Sequence, residues 1–383
     1  MRQDAELPED MVSPVDILRE LVGIASPSAV SNAPVIEYVE QLLHGHGWAT
    51  QRVEYEDAVG KLKVNLIAVP EPHKGSLPRV ELAFVCHTDT VPYRAEWAEA
   101  LQLTERGGLL HGCGACDVKG SLACLLTAVL QTDAKGLKKP VALVLTADEE
   151  IGCIGATKMI AAGAIQPRSA VICEPTSLYP ATAGKGYGLA KVKIEGREAH
   201  SAFPEKGVSA IFVAAQVVSE IEELGRVVPE LEDALFEPSR TTFNVGLLQG
   251  GTAKNIIPGE CGMTVEWRPV SGEDPRLGGR RLEAIAREVE ARNAGCRIEV
   301  EVVRVDAGFA RAEGSKLGPL LSDMLGRKET GISFGSEATR FARVAHEVVV
   351  IGPGDMHTAH SERECVPTTE LLEWTECIKR LLL

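Results

Sequence analysis

The stretch Val141–Gly152, VALVLTADEEIG, places three consecutive carboxylates directly after a short apolar run. An apolar run of this length, bounded by polar residues, predicts a buried strand that ends just before Asp148, Glu149 and Glu150. Neighbouring carboxylates repel one another, and burying unpaired charges in a strand is energetically costly. A solvated turn would explain one or two such acids. A positively charged group that draws carboxylates together would explain all three.

Other apolar runs are similar to this one and alternate with helical patterns. The strand-like runs are VNLIAVP (64–70), VELAFVCH (80–87) and SAVICEP (169–175). The helix-like segments between them are KGSLACLLTAVLQT (119–132) and GCIGATKMIAAG (152–163), and the pattern returns at HEVVVIGPG (346–354) and TTELLEWTECIKRLLL (368–383). Continuous apolar strands that alternate with helices predict an α/β fold, with a mostly parallel sheet flanked by helices.

The middle of the chain has a different pattern. YGLAKVKIEG (187–196) and RIEVEVVRV (297–305) alternate apolar and polar residues, as half-exposed strands do. From Tyr187 to Val305 the predicted order is strand, helix, strand, strand, helix, strand, which is the ferredoxin-like βαββαβ arrangement. We therefore predict one α/β domain formed by residues 1–184 and 306–383, with a ferredoxin-like α+β domain inserted at residues 185–305.

Composition limits the partners of the chain. The formal net charge is −14, from 54 acids and 40 bases, and such a charge argues against nucleic acid or an anionic membrane as a partner. The N-terminus, MRQDAELPEDMV, is acidic and does not resemble a secretory signal, and apolar stretches such as LACLLTAVL are too short to span a bilayer. Ten cysteines are scattered along the chain rather than spaced like a disulfide framework. These features predict a reduced, cytoplasmic protein.

Histidines and carboxylates recur where the predicted strands end. In chain order the residues are His87 and Asp89, Asp117 before a helix, Glu149 and Glu150, Glu174, and His357 and His360. Taken singly, an Asp or Glu at a strand end is usually a cap or turn residue, and a lone histidine is more often a surface or core residue than a ligand. Ligands of open parallel sheets, however, bind beyond the carboxyl ends of the strands. Histidine and carboxylate without thiolate suit zinc, cobalt or manganese, and the number of carboxylates favours two ions bridged by Asp117.

The same residues lie in motifs that resemble the zinc aminoacylase and acetylornithine deacetylase family of metallopeptidases. The motifs are HTDTVP, GCGACDVKG, TADEEIG, CEPTS, REAHSAFPEKGVSAI, NIIPGECGMTVEWRP and GPGDMHTAHSERE, and the similarity runs from about Ile17 to the C-terminus. It implies one ion on His87, Asp117 and Glu174, and a second on Asp117, Glu150 and His360. It also implies that Asp89 orients the His87 ring and that Glu149 is the general acid/base. Asp148 is assigned only to the turn, and only the alignment favours His360 over His357.

The resemblance also implies how substrate is held. His200, in the inserted domain, would reach the oxyanion from a partner subunit, so the insert would act as lid and dimerisation domain of a homodimer. Arg268, on the polar face of its strand, would hold a substrate carboxylate, and Asn255 would make a polar contact. Glu337 would meet the δ-ammonium of ornithine.

The activity that the resemblance implies is removal of the N-acyl group from a small N-acyl amino acid. N2-acetylornithine is the favoured substrate, which would place the reaction in arginine biosynthesis. The alternatives are a succinyl-diaminopimelate desuccinylase, another deacylase or a metallodipeptidase of the same family and, more remotely, an inactive ligand-binding homologue.

Overall fold

The computed structural model describes residues 12–226 and 231–383. The acidic N-terminal segment considered above lies outside these residues, except for Val12. The described residues form two units. The first comprises those up to Thr182 together with Arg311–Thr330 and Ser336–Leu383, and the second comprises those within Ala183–Ala310 together with Gly331–Gly335. No helix in the described ranges is long and apolar enough to cross a membrane.

Strands and helices alternate along the described chain. The strands are β1 (Trp48–Glu56), β2 (Leu62–Pro70), β3 (Arg79–His87), β4 (Thr104–Arg106), β5 (Leu109–His111), β6 (Val141–Thr146), β7 (Gln166–Ile172), β8 (Ala181–Gly184), β9 (Tyr187–Glu195), β10 (Ala199–His200), β11 (Thr242–Gly250), β12 (Ile256–Ile257), β13 (Glu260–Arg268), β14 (Arg297–Asp306), β15 (Thr330–Ile332), β16 (Glu347–Val350) and β17 (Cys365–Pro367). The helices are α1 (Pro14–Gly23), α2 (Ala33–Leu43), α3 (Lys119–Leu130), α4 (Ile154–Ala161), α5 (Ala210–Arg226), α6 (Leu277–Arg292), α7 (Leu317–Leu325), α8 (Ala338–Phe341) and α9 (Thr368–Leu382).

The large sheet has a parallel centre, and β2 and β8 run antiparallel to the central strands next to them. Its order is β1-β2-β6-β3-β7-β16-β8-β15, in which β6, β3, β7 and β16 run parallel. The predicted α/β fold is confirmed, but the expectation of a parallel strand is wrong for VNLIAVP, because β2 is antiparallel to both β1 and β6. Residues 57–61 alone connect β1 to β2, which is too short for the crossover that parallel strands need.

Helix α3 explains how the sheet of the first unit is covered. Every residue from Lys119 to Val129 is buried, as expected of a helix that is apolar on all sides. The helix packs between α1 and α9, and side chains such as Leu18, Leu122 and Trp374 belong to one hydrophobic core with the sheet. This packing fixes the start of α3, two residues after Asp117.

Apart from the two-residue strands β10 and β12, the elements of the second unit from β9 to β14 follow the order strand, helix, strand, strand, helix, strand. Its sheet order is β11-β13-β9-β14, and all three pairs are antiparallel. Met263, Val265 and Trp267 on β13 are buried against α5 and α6, whereas the alternate residues of this strand are more exposed. This alternation is the one expected of a sheet with helices on one face.

The segment Gly331–Gly335 differs from the sequence-based domain assignment. The α/β domain is predicted to contain it, together with residues 183–184 and 306–310, but all of these belong to the second unit. The backbone of the segment explains the difference, because Gly331 N–H donates to the Leu235 carbonyl at 2.8 Å and the Ile332 carbonyl accepts from Lys185 N–H at 3.0 Å. Strand periodicity does not show that the chain comes back to the second unit at these residues.

Glu347, the first residue of β16, holds the beginning of α7. Its Oε2 accepts hydrogen bonds from the Ser315 hydroxyl at 2.6 Å and from the N–H groups of Lys316 and Leu317 at 2.8 and 3.0 Å. Its Oε1 accepts one from the Ser169 hydroxyl at 2.7 Å. Burial opposes ionisation, but these hydrogen bonds outweigh it and lower the pKa of Glu347 to about 2.

We expect Glu347→Gln to lower the free energy of unfolding by about 1–2 kcal/mol near pH 7, after allowance for solvent screening. A glutamate in the unfolded chain titrates near pH 4.3, so the stabilisation by ionised Glu347 is complete above that pH. It is lost as the pH falls from about 4.3 towards the folded-state value of about 2. Urea unfolding of both proteins at pH 7, 5 and 3 measures the difference. An equal difference at pH 7 and pH 3 would rule out a contribution from the charge.

Candidate active site

The carboxyl ends of the four parallel strands meet at one edge of the large sheet. His87 ends β3, Glu149 and Glu150 follow β6, and Glu174 follows β7. The loop from β16 to β17 carries His360. Ligands bind at this edge in open parallel sheets. The structure therefore brings the predicted metal ligands of the first unit together, with Asp117 supplied by the segment before α3.

Asp117 stands between two histidines. Its Oδ1 is 3.1 Å from Nε2 of His87, and its Oδ2 is 3.0 Å from Nε2 of His360. Nε2 of His360 also lies 3.2 Å from Oε2 of Glu150, and Nε2 of His87 lies 4.0 Å from Oε1 of Glu174. Each oxygen of Asp117 thus faces a histidine that has a glutamate beside it, an arrangement suited to a carboxylate that bridges two ions.

The charge of this cluster fits divalent cations. Ligand atoms of His87, Asp117 and Glu150 lie within 4.8 Å of one another. Oε1 of Glu150 is buried and has no hydrogen-bond partner in the described part of the chain. Burial raises the pKa of Glu150 and of Glu174, and the Asp117 carboxylate adds to both effects. Cations would remove this penalty, and the histidine and carboxylate donors suit zinc, cobalt or manganese.

Glu149 lies beside the cluster with properties suited to proton transfer. Its Oε1 accepts a hydrogen bond from the Cys153 thiol at 3.3 Å. Burial raises the pKa of Glu149 to about 8, with a further contribution from Glu150, while His87 acts in the opposite direction. A carboxyl group that titrates near neutral pH can both accept and return a proton.

The family resemblance implies that the Asp89 side chain orients His87. In the structure, the carboxylate does not contact the imidazole. Nδ1 of His87 lies 2.9 Å from the backbone oxygen of Asp89, whereas the nearest carboxylate oxygen is 3.9 Å away. The Asp89 carboxylate instead accepts the N–H of Glu149 at 3.0 Å and that of Glu150 at 3.3 Å. The carboxylate therefore holds the acidic turn, and the backbone carbonyl orients the imidazole.

Asp148 and Glu364 have roles that the sequence analysis missed. Asp148 is buried and pairs with Lys63 at 2.7 Å, so it is more than a turn residue. Glu364 is also buried, and its Oε1 accepts the N–H groups of Cys116 and Asp117, both at 3.1 Å. The sequence shows a lysine directly before the apolar run 64–70 and a His-x-x-x-Glu spacing in HSERE, but neither feature identifies the partner of Asp148 or of Glu364.

The two histidines of the last motif have different surroundings. His357 is 93% exposed, and its Nδ1 lies 2.7 Å from Oδ1 of Asp355. His360 is half-buried and reaches Asp117 and Glu150. A positive φ of 58° at His360 turns the backbone at this point. His360 is therefore the histidine that can serve as a ligand in this cluster.

The remaining predicted residues are distributed over both units. His200 and Asn255 are exposed in the second unit, where the Asn255 carbonyl accepts the N–H of Ser201 at 3.0 Å. Arg268, also in that unit, lies over the Tyr187 ring with its Cζ 4.6 Å from the ring centroid. Glu337 is in the first unit but is only 1% exposed, and burial raises its pKa to about 7.

Comparisons with known proteins identify the family of the chain. Residues 83–383 match the family described as peptidase family M20/M25/M40. The chain is 42% identical over 364 residues to an acetylornithine deacetylase of Myxococcus xanthus, with 95% of each chain covered.

Two solved structures have a similar fold. Aminopeptidase PepT of Bacillus cereus ATCC 10987 has a TM-score of 0.74 at 21% identity, with 96% of this chain and 97% of that chain covered. The YXEP protein of Bacillus subtilis, a dinuclear metal-binding peptidase of the M20 family, has a TM-score of 0.65 at 15% identity, with 96% of each chain covered. From the family match and the 42% identical relative, we conclude that the chain belongs to peptidase family M20/M25/M40.

Proposed function

We propose that the protein is a dinuclear-metal amidohydrolase that converts N2-acetylornithine to ornithine and acetate, a step of arginine biosynthesis. The observation that carries the proposal is the position of Asp117, whose two oxygens face His87 and His360 at 3.1 and 3.0 Å. The extended similarity to an acetylornithine deacetylase supports the choice of substrate.

The ion ligands we propose are His87, Asp117 and Glu174 on one side and Asp117, Glu150 and His360 on the other. Zinc is our first choice, and cobalt or manganese would suit the same donors. When bound, the ions supply hydroxide at neutral pH and polarise the amide carbonyl. Metal content after purification, measured with and without a chelating wash, tests both the number and the identity of the ions.

Glu149 performs the proton transfers of the proposed reaction. It accepts a proton from the attacking water and returns it to the nitrogen of the leaving amine. A carbon–oxygen bond forms and the carbon–nitrogen bond of the amide breaks. The Cys153 thiol donates a hydrogen bond to Oε1 of Glu149, and the Asp89 carboxylate accepts the Glu149 backbone N–H. These two contacts keep the Glu149 carboxyl group in place.

Amine release from a substrate panel tests the proposal. The panel contains N-acetylornithine, N-acetylcitrulline, N-acetylmethionine, N-succinyl-diaminopimelate and a dipeptide, each assayed on metal-stripped protein with zinc or cobalt restored. We expect metal-dependent turnover of N-acetylornithine above the others, abolished in Glu149→Ala. Preference for another compound would keep the reaction class and change the substrate. Two bound ions without any turnover would favour a ligand-binding protein.

Three residues are proposed to contact substrate. Arg268 would pair with the α-carboxylate that all N-acyl amino acids share, and Asn255 would add a polar contact. Glu337 would pair with the side-chain ammonium, which only ornithine among the acetylated members of the panel carries. One oxygen of Glu337 has no hydrogen-bond partner among the described residues, so an ammonium that entered this buried position would satisfy it.

We expect Glu337→Gln to raise KM for N-acetylornithine by about 10- to 100-fold, the loss of one hydrogen bond to a charged group, and to leave KM for N-acetylmethionine nearly unchanged. Arg268→Lys is the matched control, because it should raise KM for both substrates alike. Steady-state kinetics of the unaltered protein and the two variants give the ratio of KM values for the two substrates. A uniform effect of Glu337→Gln on the two substrates would exclude ammonium recognition.

We also propose a homodimer that forms through the second unit. Its edge strand β11 carries Leu247, which is 63% exposed, and Leu248, which is half-exposed, and Phe212 on α5 is 75% exposed. An unpaired edge with exposed apolar side chains is suited to pairing with a second chain. His200 of one subunit would then donate a hydrogen bond to the oxyanion in the active site of the other.

Mixing two inactive variants tests this arrangement. Glu149→Ala and His200→Ala are each expected to be nearly inactive. After co-refolding or co-expression, each mixed dimer has one site in which an intact Glu149 meets an intact His200 from the other subunit. Mixed dimers should therefore regain up to about half of the activity of the unaltered dimer. Sedimentation establishes the dimer independently. No recovery in demonstrably mixed dimers would contradict the exchange of His200.

A further inference from the structure

The acidic turn after β6 is held at four successive residues. The N–H of Ala147 donates to Oδ1 of Asn65 at 3.0 Å, and the Asp148 carboxylate accepts from Lys63 at 2.7 Å and from the Tyr55 hydroxyl at 2.8 Å. The N–H groups of the next two residues, Glu149 and Glu150, donate to Asp89. The backbone that carries the proposed base and a proposed ligand is thus fixed from one end to the other.

Lys63 is the one cation in this set of anchors, and its surroundings are unusual for a lysine. It is 1% exposed, and its partner Asp148 is completely buried. Besides Asp148, its Nζ donates to the carbonyl oxygens of Ser28 at 2.6 Å and Val30 at 2.8 Å. All three ammonium protons therefore have acceptors, which is the condition under which a buried ion pair is tolerated.

Ser28 links Lys63 to the second anchor of the turn. While its carbonyl accepts from Lys63, its hydroxyl donates to Oδ2 of Asp89 at 2.7 Å. Asp148 itself has a positive φ of 56°, a conformation that non-glycine residues seldom adopt and that a fixed side chain can maintain. Lys63 thus touches both the residue that bends the turn and the residue that supports Asp89.

We propose that Lys63 is a positioning residue for catalysis: its buried pair with Asp148 fixes the turn that directs Glu149 and Glu150 towards the metal cluster. The proposal rests on the proposed function, because it takes Glu150 as a ligand. Without Lys63, Asp148 would be a buried carboxylate without its counter-charge. That residue would move towards water, and the backbone of the two glutamates would move with it.

Lys63→Met tests the proposal, because it keeps an unbranched apolar side chain of nearly the same length and removes the charge. Cobalt titration of the metal-stripped protein, followed by visible absorption, measures the two dissociation constants without any substrate. We expect the weaker-binding step to weaken by about tenfold or more, as is typical when a group that orients a ligand is lost. We also expect kcat on the preferred substrate to fall with little change in KM.

Three further variants separate positioning from general destabilisation. Lys63→Arg should retain much of the cobalt affinity because the charge is kept. Lys63→Met combined with Asp148→Asn should bind cobalt more tightly than Lys63→Met alone, since no unpaired charge is left and asparagine tolerates a positive φ. Lys185→Met is the matched control. Lys185 is equally buried and donates to the carbonyls of Pro238 and Arg240, both at 2.7 Å, but it lies in the second unit, which contains none of the proposed ligands.

The outcomes distinguish the possible errors. If the unaltered protein binds no cobalt, the proposed function fails before Lys63 is tested. If it binds two ions and folded Lys63→Met binds them equally well with unchanged kcat, the positioning role is wrong. A loss of melting temperature alone, shared with Lys185→Met, would likewise overturn it, because it would make Lys63 a purely structural residue. Weaker cobalt binding in Lys63→Met, absent from Lys185→Met and relieved by Asp148→Asn, would establish it.

Discussion

Replacing Glu149 by glutamine is expected to lower kcat by about 10³- to 10⁴-fold, while the protein still binds two ions and KM changes little. Glutamine has the shape of glutamate, and its amide oxygen can still accept the hydrogen bond that the Cys153 thiol donates to Oε1 of Glu149. The amide cannot take a proton from water at neutral pH. The substitution therefore removes proton transfer and leaves the site otherwise intact.

The neighbouring carboxylate provides the matched control. Glu150 lies on the same turn, and Glu150→Gln is the same chemical change. Glu150 differs from Glu149 because its Oε2 lies 3.2 Å from Nε2 of His360. We expect Glu150→Gln to lose affinity for one ion, so added metal should restore part of its activity. Added metal should restore none to Glu149→Gln. Metal content and kcat, measured on both variants over a range of zinc concentrations, separate the two roles. Recovery of Glu149→Gln at high zinc would make Glu149 a ligand rather than the base.

The cluster of histidine and carboxylate side chains was predictable from the sequence because strand ends are visible there. An apolar run of β-branched residues marks a buried strand, and strands that run parallel in a sheet have their carboxyl ends at one edge. His87, Glu150 and Glu174 follow three such runs, so their proximity needed no knowledge of distances. The direction of β2 was predicted wrongly because an apolar run does not reveal the orientation of its neighbours.

The supporting contacts could not be predicted, because they join distant segments through single side chains. Lys63 and Asp148 are 85 residues apart, and Glu364 and Cys116 are 248 residues apart. No periodicity links such pairs. His87 contacts the backbone oxygen of Asp89 rather than its carboxylate. This contact depends on the geometry of the turn, which residue types do not specify. Likewise, the sequence placed Glu337 at the substrate, but only the fold reveals its burial.

Truncation of Asp117 to alanine is expected to abolish binding of both ions at micromolar metal and to reduce kcat/KM by at least about 10⁴-fold. The reason is geometric, because the two oxygens of Asp117 face different histidines, at 3.1 and 3.0 Å. Of these two histidines, Glu174 lies near His87. Glu174→Ala should therefore weaken the binding of one ion and leave the binding of the other unchanged. The two truncations remove the same kind of ligand and differ in the number of ions affected.

Cobalt titration and elemental analysis of the two variants after gel filtration decide between a shared and a terminal ligand. The backbone N–H groups of Cys116 and Asp117 remain bound to Glu364 after the truncation, so the loop before α3 should keep its shape and the melting temperature of the metal-free protein should change little. If Asp117→Ala lost one ion and retained the other at full affinity, Asp117 would be a ligand of a single ion. The site would then comprise two separate ions rather than a bridged pair, and loss of activity could be assigned to whichever ion had disappeared.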